Sequence, residues 1–468
     1  MAFVGRADQL HRLGTLLARV GSDDDAKPGK AVLIRGRRRV GKSRLVEEFI
    51  ERTRIPHVFF TASGRPTGEE LRLFSEAVIS SDLPGAHIFE DVTLDSWDAA
   101  LRLLASAAAG TPCVVVIDEL PYLTANDPAF EGTLQKQFDR LLSRQRILLI
   151  GIGSDLAMME SLNDYGRPFH QRATELVVPP FSPAEVGAML GLDAADAFDA
   201  FLVTGGLPLI CAEWRRGDSL NDYLQEAVTN PTSALLVSAE RSLAAEFPAT
   251  AQARTILGVI GNGERRFTNI GRAAGGIQQT SLSRSLNLLL EKRVIAADEP
   301  LSTRPPRDKR YRVADPYLRF WLSFLGPNMP EIERGRGDRV LARIRESWTS
   351  WRGRAIEPVV RDALDRLPGT AALDGVVGGY WTRTNDPEID LVVADRWPPV
   401  KRILAVGSIK WLENAPFDER NLSQLIAHRS QLPGADVDTP MIAISRSGAT
   451  VDGVTVYTPD SLIAAWSA

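Results

Sequence analysis

Cysteine is nearly absent from this sequence. Two residues in 468, Cys113 and Cys211, are all it has, and both sit in apolar runs. That excludes a disulfide-stapled scaffold and a metal site built on paired cysteines. The five histidines are scattered and form no ligand cluster either. No apolar run approaches the roughly 20 residues that cross a bilayer. The N-terminal stretch lacks the basic-then-apolar pattern of an export signal. These absences lead to an expectation of a cytoplasmic protein in a reducing compartment, with no membrane partner. A strong charge of one sign is missing too, since 55 Lys/Arg face 59 Asp/Glu for a net −4. One stretch departs from that balance. From Glu264 to Arg312 there are 11 Lys/Arg against 5 Asp/Glu. Such a local excess reads either as a solvated basic loop or as a surface for an anionic partner.

What is present is that of a soluble globular chain, with 44% apolar and 24% charged residues and length for two to four domains. Its most specific stretch is "AVLIRGRRRVGKSRLVEEFI". An apolar strand, residues 31–35, runs into Gly36-Arg37-Arg38-Arg39-Val40-Gly41-Lys42-Ser43, then into Arg44 and a helical pattern through Leu45, Val46, Phe49 and Ile50. Glycines let such a loop curl so that its N–H groups point at phosphates, and the helix adds its positive end. Lys42 then reaches the β- and γ-phosphates, and the Ser43 hydroxyl ligates Mg²⁺. Further on, "CVVVIDELPYL" is a buried strand ending in Asp118-Glu119. An acid at that position places a carboxylate near Mg²⁺, and Glu119 is suited to orient or deprotonate the attacking water. Residues 57–62 and 147–152 read as further strands, with 175–178 as a fifth. Strands alternating with helices imply a parallel sheet covered on both faces. Ser154, after the fourth strand, either senses the γ-phosphate or caps the helix that follows.

"FVGRADQL", "GRRRVGKS", "VVVIDELPYL", "GIGSDLAMM" and "TGGLPLI" together resemble the archaeal ATPase family, P-loop ATPases akin to the STAND and AAA+ groups. The resemblance implies ATP and Mg²⁺ as cofactors. It places Gly5 and Arg6 beside the adenine, and Gly206 and Pro208 of a helical lid against the nucleotide. It also implies an arginine that stabilises γ-phosphate charge, with Arg172 the first choice and Arg167 the second, unless either serves only in a surface ion pair.

Residues 1–180 are thus expected to form the ATPase core and 181–250 the helical lid. Residues 251–325 follow as three helices and two strands, with "STRPPRDK" between the strands, the pattern of a winged helix-turn-helix. The third helix carries Leu282, Leu286, Leu289 and Leu290 on one face and leaves Ser281, Ser283, Arg284 and Asn287 on others, to enter a major groove. Arg307, Lys309 and Arg310 would lie on phosphates. The alternative is a winged helix that packs only against protein.

Residues 339–468 change pattern again. A helix carrying Glu357, a strand carrying Asp390, and "ILAVGSIKWLEN" resemble the PD-(D/E)xK nuclease-like domain appended to that ATPase family. The resemblance implies Gly-Glu-x-Lys-Trp at the end of the third strand. Gly407, Ile409, Lys410 and Trp411 match, but Ser408 stands where the metal-binding glutamate belongs. A neutral hydroxyl cannot compensate a divalent charge, so Asp390 would hold Mg²⁺ weakly unless Glu388, Glu413 or Glu419 substitutes. The fold expected is multi-domain α/β: P-loop parallel sheet, helical lid, winged helix-turn-helix and a degenerate restriction-endonuclease-like domain. The function expected is an ATP-hydrolysing switch that binds DNA, with a homo-oligomer or a protein as further partner. Its rivals are an ATP-gated, metal-dependent DNA nuclease and a signalling or scaffold ATPase that binds only protein.

Overall fold

The computed structural model describes residues 3–22, 27–247, 251–305, 308–367 and 373–466. Arg307 lies outside them. The chain divides into two compact units, Met1–Pro180 and Phe181–Ala468.

The first unit is built on five strands: β1 (Lys30–Arg35), β2 (His57–Thr61), β3 (Cys113–Asp118), β4 (Ile147–Gly153) and β5 (Ala173–Val177). All neighbours pair in parallel, in the order β2-β3-β4-β1-β5. The central strands β3 and β4 are buried along their whole length, as a parallel sheet covered by helices requires. The register aligns the strands, so the turns after β1, β3 and β4 emerge at one edge, where ligands bind in open α/β sheets. On one face Phe60, Phe74, Trp97 and Phe130 form a chain of edge-on and tilted ring contacts, the arrangement the ring quadrupoles favour.

The second unit begins with short helices, Pro183–Leu190, Ala194–Thr204, Pro208–Cys211, Leu220–Thr229 and Ala234–Glu246. Ser182 opens the first with a reciprocal capping box to Glu185, which satisfies two otherwise orphaned N–H groups. Three helices follow, Gln252–Gly261, Phe267–Ala273 and Gln279–Glu291, and then the antiparallel pair β6 (Ile295–Asp298) and β7 (Arg310–Val313). The aromatic run after β7 was not legible as irregular. It forms a short helix, Pro316–Phe320, then a π-helical turn, Trp321–Leu325, then a 3₁₀ turn, Gly326–Asn328.

A long helix, Gly337–Ala355, ends one residue before a second, Glu357–Arg366. Pro358, which lacks an N–H, stands in the first turn of the second, where no intrahelical donor is lost. The final sheet holds β8 (Val376–Trp381), β9 (Glu388–Ala394), β10 (Ile403–Lys410), β11 (Met441–Ser445) and β12 (Thr455–Tyr457), in the order β12-β11-β10-β9-β8. The β8-β9 and β9-β10 pairs are antiparallel, and β10-β11 and β11-β12 are parallel.

The helices expected to form a separate lid share a core with this last sheet. Phe198 and Leu202 pack with Val377, Leu391, Trp411 and Ile442. At the same seam Arg352, fully buried, donates to Asp199 Oδ2 and Glu413 Oε1, both at 2.7 Å, and to the Trp411 carbonyl at 3.2 Å. Among the described residues no helix is long and apolar enough to cross a membrane.

Candidate functional site

The loop 36–43 leaves β1 and enters the helix Lys42–Thr53. The curl requires left-handed backbone at Arg39 (φ 68°) and Gly41 (φ 83°). Lys42 is almost buried and folds back on its own loop. Its Nζ donates to the Gly36 carbonyl at 2.9 Å and the Arg37 carbonyl at 3.0 Å. Burial pulls its ammonium down to about 8, only partly opposed by Glu119 and Asp118, and Arg38 adds to the lowering. A cation made that reluctant is relieved by an anion arriving beside it.

β3 delivers Asp118 to the same edge. Ser43 Oγ donates to Asp118 Oδ2 at 2.7 Å. The two oxygens therefore stand together and suit a hard cation such as Mg²⁺. Glu119 takes a left-handed conformation (φ 52°) and its N–H donates to Asp118 Oδ1 at 2.9 Å. From the end of β4, Ser154 Oγ reaches Glu119 Oε1 at 3.1 Å and Oε2 at 3.0 Å. Of the two roles the sequence offered Ser154, sensing the γ-phosphate or capping the next helix, the structure takes away the cap. Asp155 caps the next helix, accepting from Met158 N. Arg6 Nη2 donates to the Val40 carbonyl at 3.1 Å, so the Gly5-Arg6 turn lies against the phosphate loop.

Other sequence-derived residues are placed elsewhere. Arg44 turns away from the loop onto Glu47, Glu48 and Glu51 of its own helix. Arg172 is at the wrong edge of the sheet. Ala173 pairs with Ala31, at the start of β1, so the length of a strand at about 3.3 Å per residue separates it from the loop. There Arg172 Nε holds Asp139 at 2.9 Å. Arg167 pairs with Glu131 at 2.6 Å, at the start of the helix Phe130–Arg140. Gly206 and Pro208 belong to the second unit. Gly206 (φ 65°) accepts from Phe181 N at 2.8 Å, and an added Cβ would meet that residue's carbonyl oxygen at 2.0 Å. Packing within the second unit therefore demands a glycine here.

In the basic stretch, Ser283 and Arg284 are exposed and Ser281 half-buried, with Leu282, Leu286 and Leu289 beneath them. The expected phosphate contact Arg310 is buried instead. It donates to Glu388 at 2.5 Å and Asn385 at 2.8 Å and lies over the Trp381 ring. Lys309 is exposed but pairs with Glu299 at 2.7 Å.

In the final sheet, the antiparallel register puts Ser408 opposite Asp390. Ser408 Oγ and Ile409 N donate to Asp390 Oδ2 at 3.1 and 3.0 Å. Arg361 donates to the Asp390 carbonyl at 2.6 and 2.9 Å and to Glu357 at 3.3 Å. Burial raises the pKa of Glu357, Arg361 opposes the rise, and Asp390 adds to it. Glu357, Asp390 and Ser408 thus converge, and Lys410 lies on the Ser408 face of β10. The substitute carboxylates do not join them as free ligands. Glu413 is bound to Arg352, and Glu388 to Arg310, which holds it below the usual range against the upward pull of burial. Glu419 opens the helix Glu419–Gln431. Among the described residues no three His, Cys, Asp or Glu are grouped to hold a metal. The set does not fit Mg²⁺.

Residues 321–422 match the family DUF234, described as archaea bacterial proteins of unknown function. Over 450 residues the chain is 24% identical to the uncharacterized protein MJECL04 of Methanocaldococcus jannaschii, covering 93% of each chain. Among solved structures it is similar to the Walker-type ATPase PABY2304 of Pyrococcus abyssi, at 20% identity and TM-score 0.48. That match spans 68% of this chain and 96% of the other. It is also similar to the ORC2 protein of Aeropyrum pernix, at 12% identity and TM-score 0.43, over 73% of this chain and 95% of the other.

Proposed function

We propose that the chain is a Mg²⁺-dependent ATPase. The observation that carries this reading is the convergence of Lys42, the Ser43–Asp118 pair and the Ser154–Glu119 pair at one edge of a parallel sheet. Phosphate oxygens would take Lys42 from the Gly36 and Arg37 carbonyls. Ser43 and Asp118 would hold Mg²⁺, which supplies charge neutralisation when bound. Glu119, steadied by Ser154, would orient water for attack. Lys42→Ala should abolish most ATP binding. Glu119→Gln should keep binding and slow hydrolysis at least a hundredfold. Turnover at the original rate in Glu119→Gln would remove Glu119 from this role.

The second unit supports a narrower reading than the sequence suggested. We infer that residues 252–313 are a winged helix whose third helix, through Ser283 and Arg284, is its DNA-facing element. Arg310 drops out because it is buried against the final sheet. The helix–strand order and the Glu357–Asp390–Ser408 cluster support a nuclease-like domain that has lost its metal. Arg284→Ala should weaken duplex binding and shallow the slope of log affinity against log salt by about one unit. If the chain binds no duplex at low salt, the reading as a protein-binding ATPase replaces this one.

A further inference from the structure

Where β7, the π-helical turn and the end of the helix Gly337–Ala355 meet, the second unit has a cavity of 260 Å³. Four arginines line it, Arg265, Arg312, Arg319 and Arg354, and no carboxylate does. Two of the four are accounted for. Arg312 donates to Asp298 at 2.9 Å, and Arg265 has Glu388 at 3.9 Å. Arg354 stands in the last turn of its helix, where the helix dipole favours a cation in any case. Arg319 has no such explanation. Its side chain is half-buried at the cavity wall, and no described residue accepts a hydrogen bond from its guanidinium or pairs with it. Burial and the neighbouring Arg265, opposed by Glu357 and reinforced by Arg312 and Arg354, pull it down to about 10. Holding a partly desolvated guanidinium among like charges with no carboxylate paired to it is costly. The backbone beside it is the π-helical turn Trp321–Leu325, a rare geometry that gathers at functional sites. Polar groups complete the wall. Ser347 and Ser350 come from the long helix, and Asn262 from the turn after Gln252–Gly261.

We propose that this cavity is a binding site for a phosphate group, with Arg319 at its base and Arg354 at its mouth. The guanidinium fork matches phosphate oxygens two at a time, which a point charge does not. The volume admits a phosphate together with the first groups attached to it. The site lies wholly within the second unit and does not depend on the phosphate loop being active. A free phosphate ester and a DNA backbone phosphate offer the same chemistry.

The test uses the full chain carrying Lys42→Ala, which closes the phosphate loop to nucleotides. Pyrophosphate, ADP and a short duplex are each titrated, with chloride matched for ionic strength. Pyrophosphate should raise the melting temperature by several degrees more than chloride does. Arg319→Gln and Arg354→Gln should each weaken pyrophosphate binding at least tenfold. Without anion, Arg319→Gln should melt no lower than its parent, since like-charge repulsion is relieved. ADP bound through the same arginines would identify a free phosphate ester as the ligand. Duplex affinity that falls in both variants would identify the DNA backbone. A pyrophosphate effect no larger than that of chloride, or one unchanged in both variants, overturns the proposal.

Discussion

At the scale of single residues, the proposed phosphate loop holds a lysine that burial discourages from carrying its charge. Lys42 has an ordinary pKa above 10, and burial brings it to about 8. Phosphate oxygens should raise it again. Binding would then take up a proton between those two values, and affinity for ATP should be greatest below pH 8. Above that it should fall by up to tenfold per pH unit. Calorimetry at pH 8.5 in buffers of different ionisation enthalpy checks this, with net proton uptake as the expected sign. Ser154 is argued the same way. Its hydroxyl touches both Glu119 oxygens and so would fix the rotamer of the group proposed to orient water. Ser154→Ala should lower kcat by about tenfold while leaving KM near its original value, as expected for a positioning residue. The loop motif was legible in the sequence because phosphate chemistry dictates both residue type and spacing. The Ser154–Glu119 bond was legible only as one of two options, since a serine before a helix serves equally well as a cap. The structure gave that role to Asp155.

At the scale of elements, strand register decides what the sequence could not. The site of the final sheet was readable as a pattern, because Asp390 and Ser408 fall on adjacent strands in an order that resembles a known domain. What was not readable is how the residues around Asp390 are held. Ser408 hydrogen-bonds to Asp390, and Arg361 supplies the positive charge between Glu357 and the Asp390 carbonyl. A guanidinium thus pairs with the Glu357 carboxylate and holds the backbone of the strand that carries Asp390. The unmodified chain should bind no Mn²⁺ at this sheet. Ser408→Glu combined with Arg361→Ala should restore three converging carboxylates and measurable Mn²⁺ affinity by calorimetry, lost again on adding Asp390→Ala. Mn²⁺ binding by the unmodified chain that Asp390→Ala removes would contradict this account. Arg172 and Arg310 failed for a related reason. An arginine's partner is chosen by tertiary neighbours, and Glu388 is 78 residues from Arg310. Sequence periodicity carries no trace of such a pair.

At the scale of the whole molecule, four segments read from sequence become two compact units, because the expected lid joins the final sheet. Composition could not reveal this. Helices 183–246 have ordinary amphipathic patterns, and nothing in them names the surface they cover. The seam is both apolar and ionic. Phe198 packs edge-on to Trp411, and the buried Arg352 ties Asp199 of one segment to the Trp411 carbonyl of the other. Asp199 is also approached by Arg446 at 3.1 Å and by the Trp411 ring nitrogen at 3.3 Å. Removing Arg352 leaves the buried Asp199 with Arg446 and the Trp411 ring nitrogen alone. That costs on the order of 2–3 kcal/mol, somewhat less than the roughly 3–5 kcal/mol of a fully orphaned buried charge. Arg352→Ala should therefore destabilise the second unit by that order. The loss should appear at the same denaturant concentration in two places, the helix Ala194–Thr204 and strand β10. Hydrogen exchange across the transition reads both. If the two segments are one cooperative block, their protection falls together. Had the lid been an independent domain, β10 would lose protection while the helices near residues 183–190 and 220–229 kept theirs.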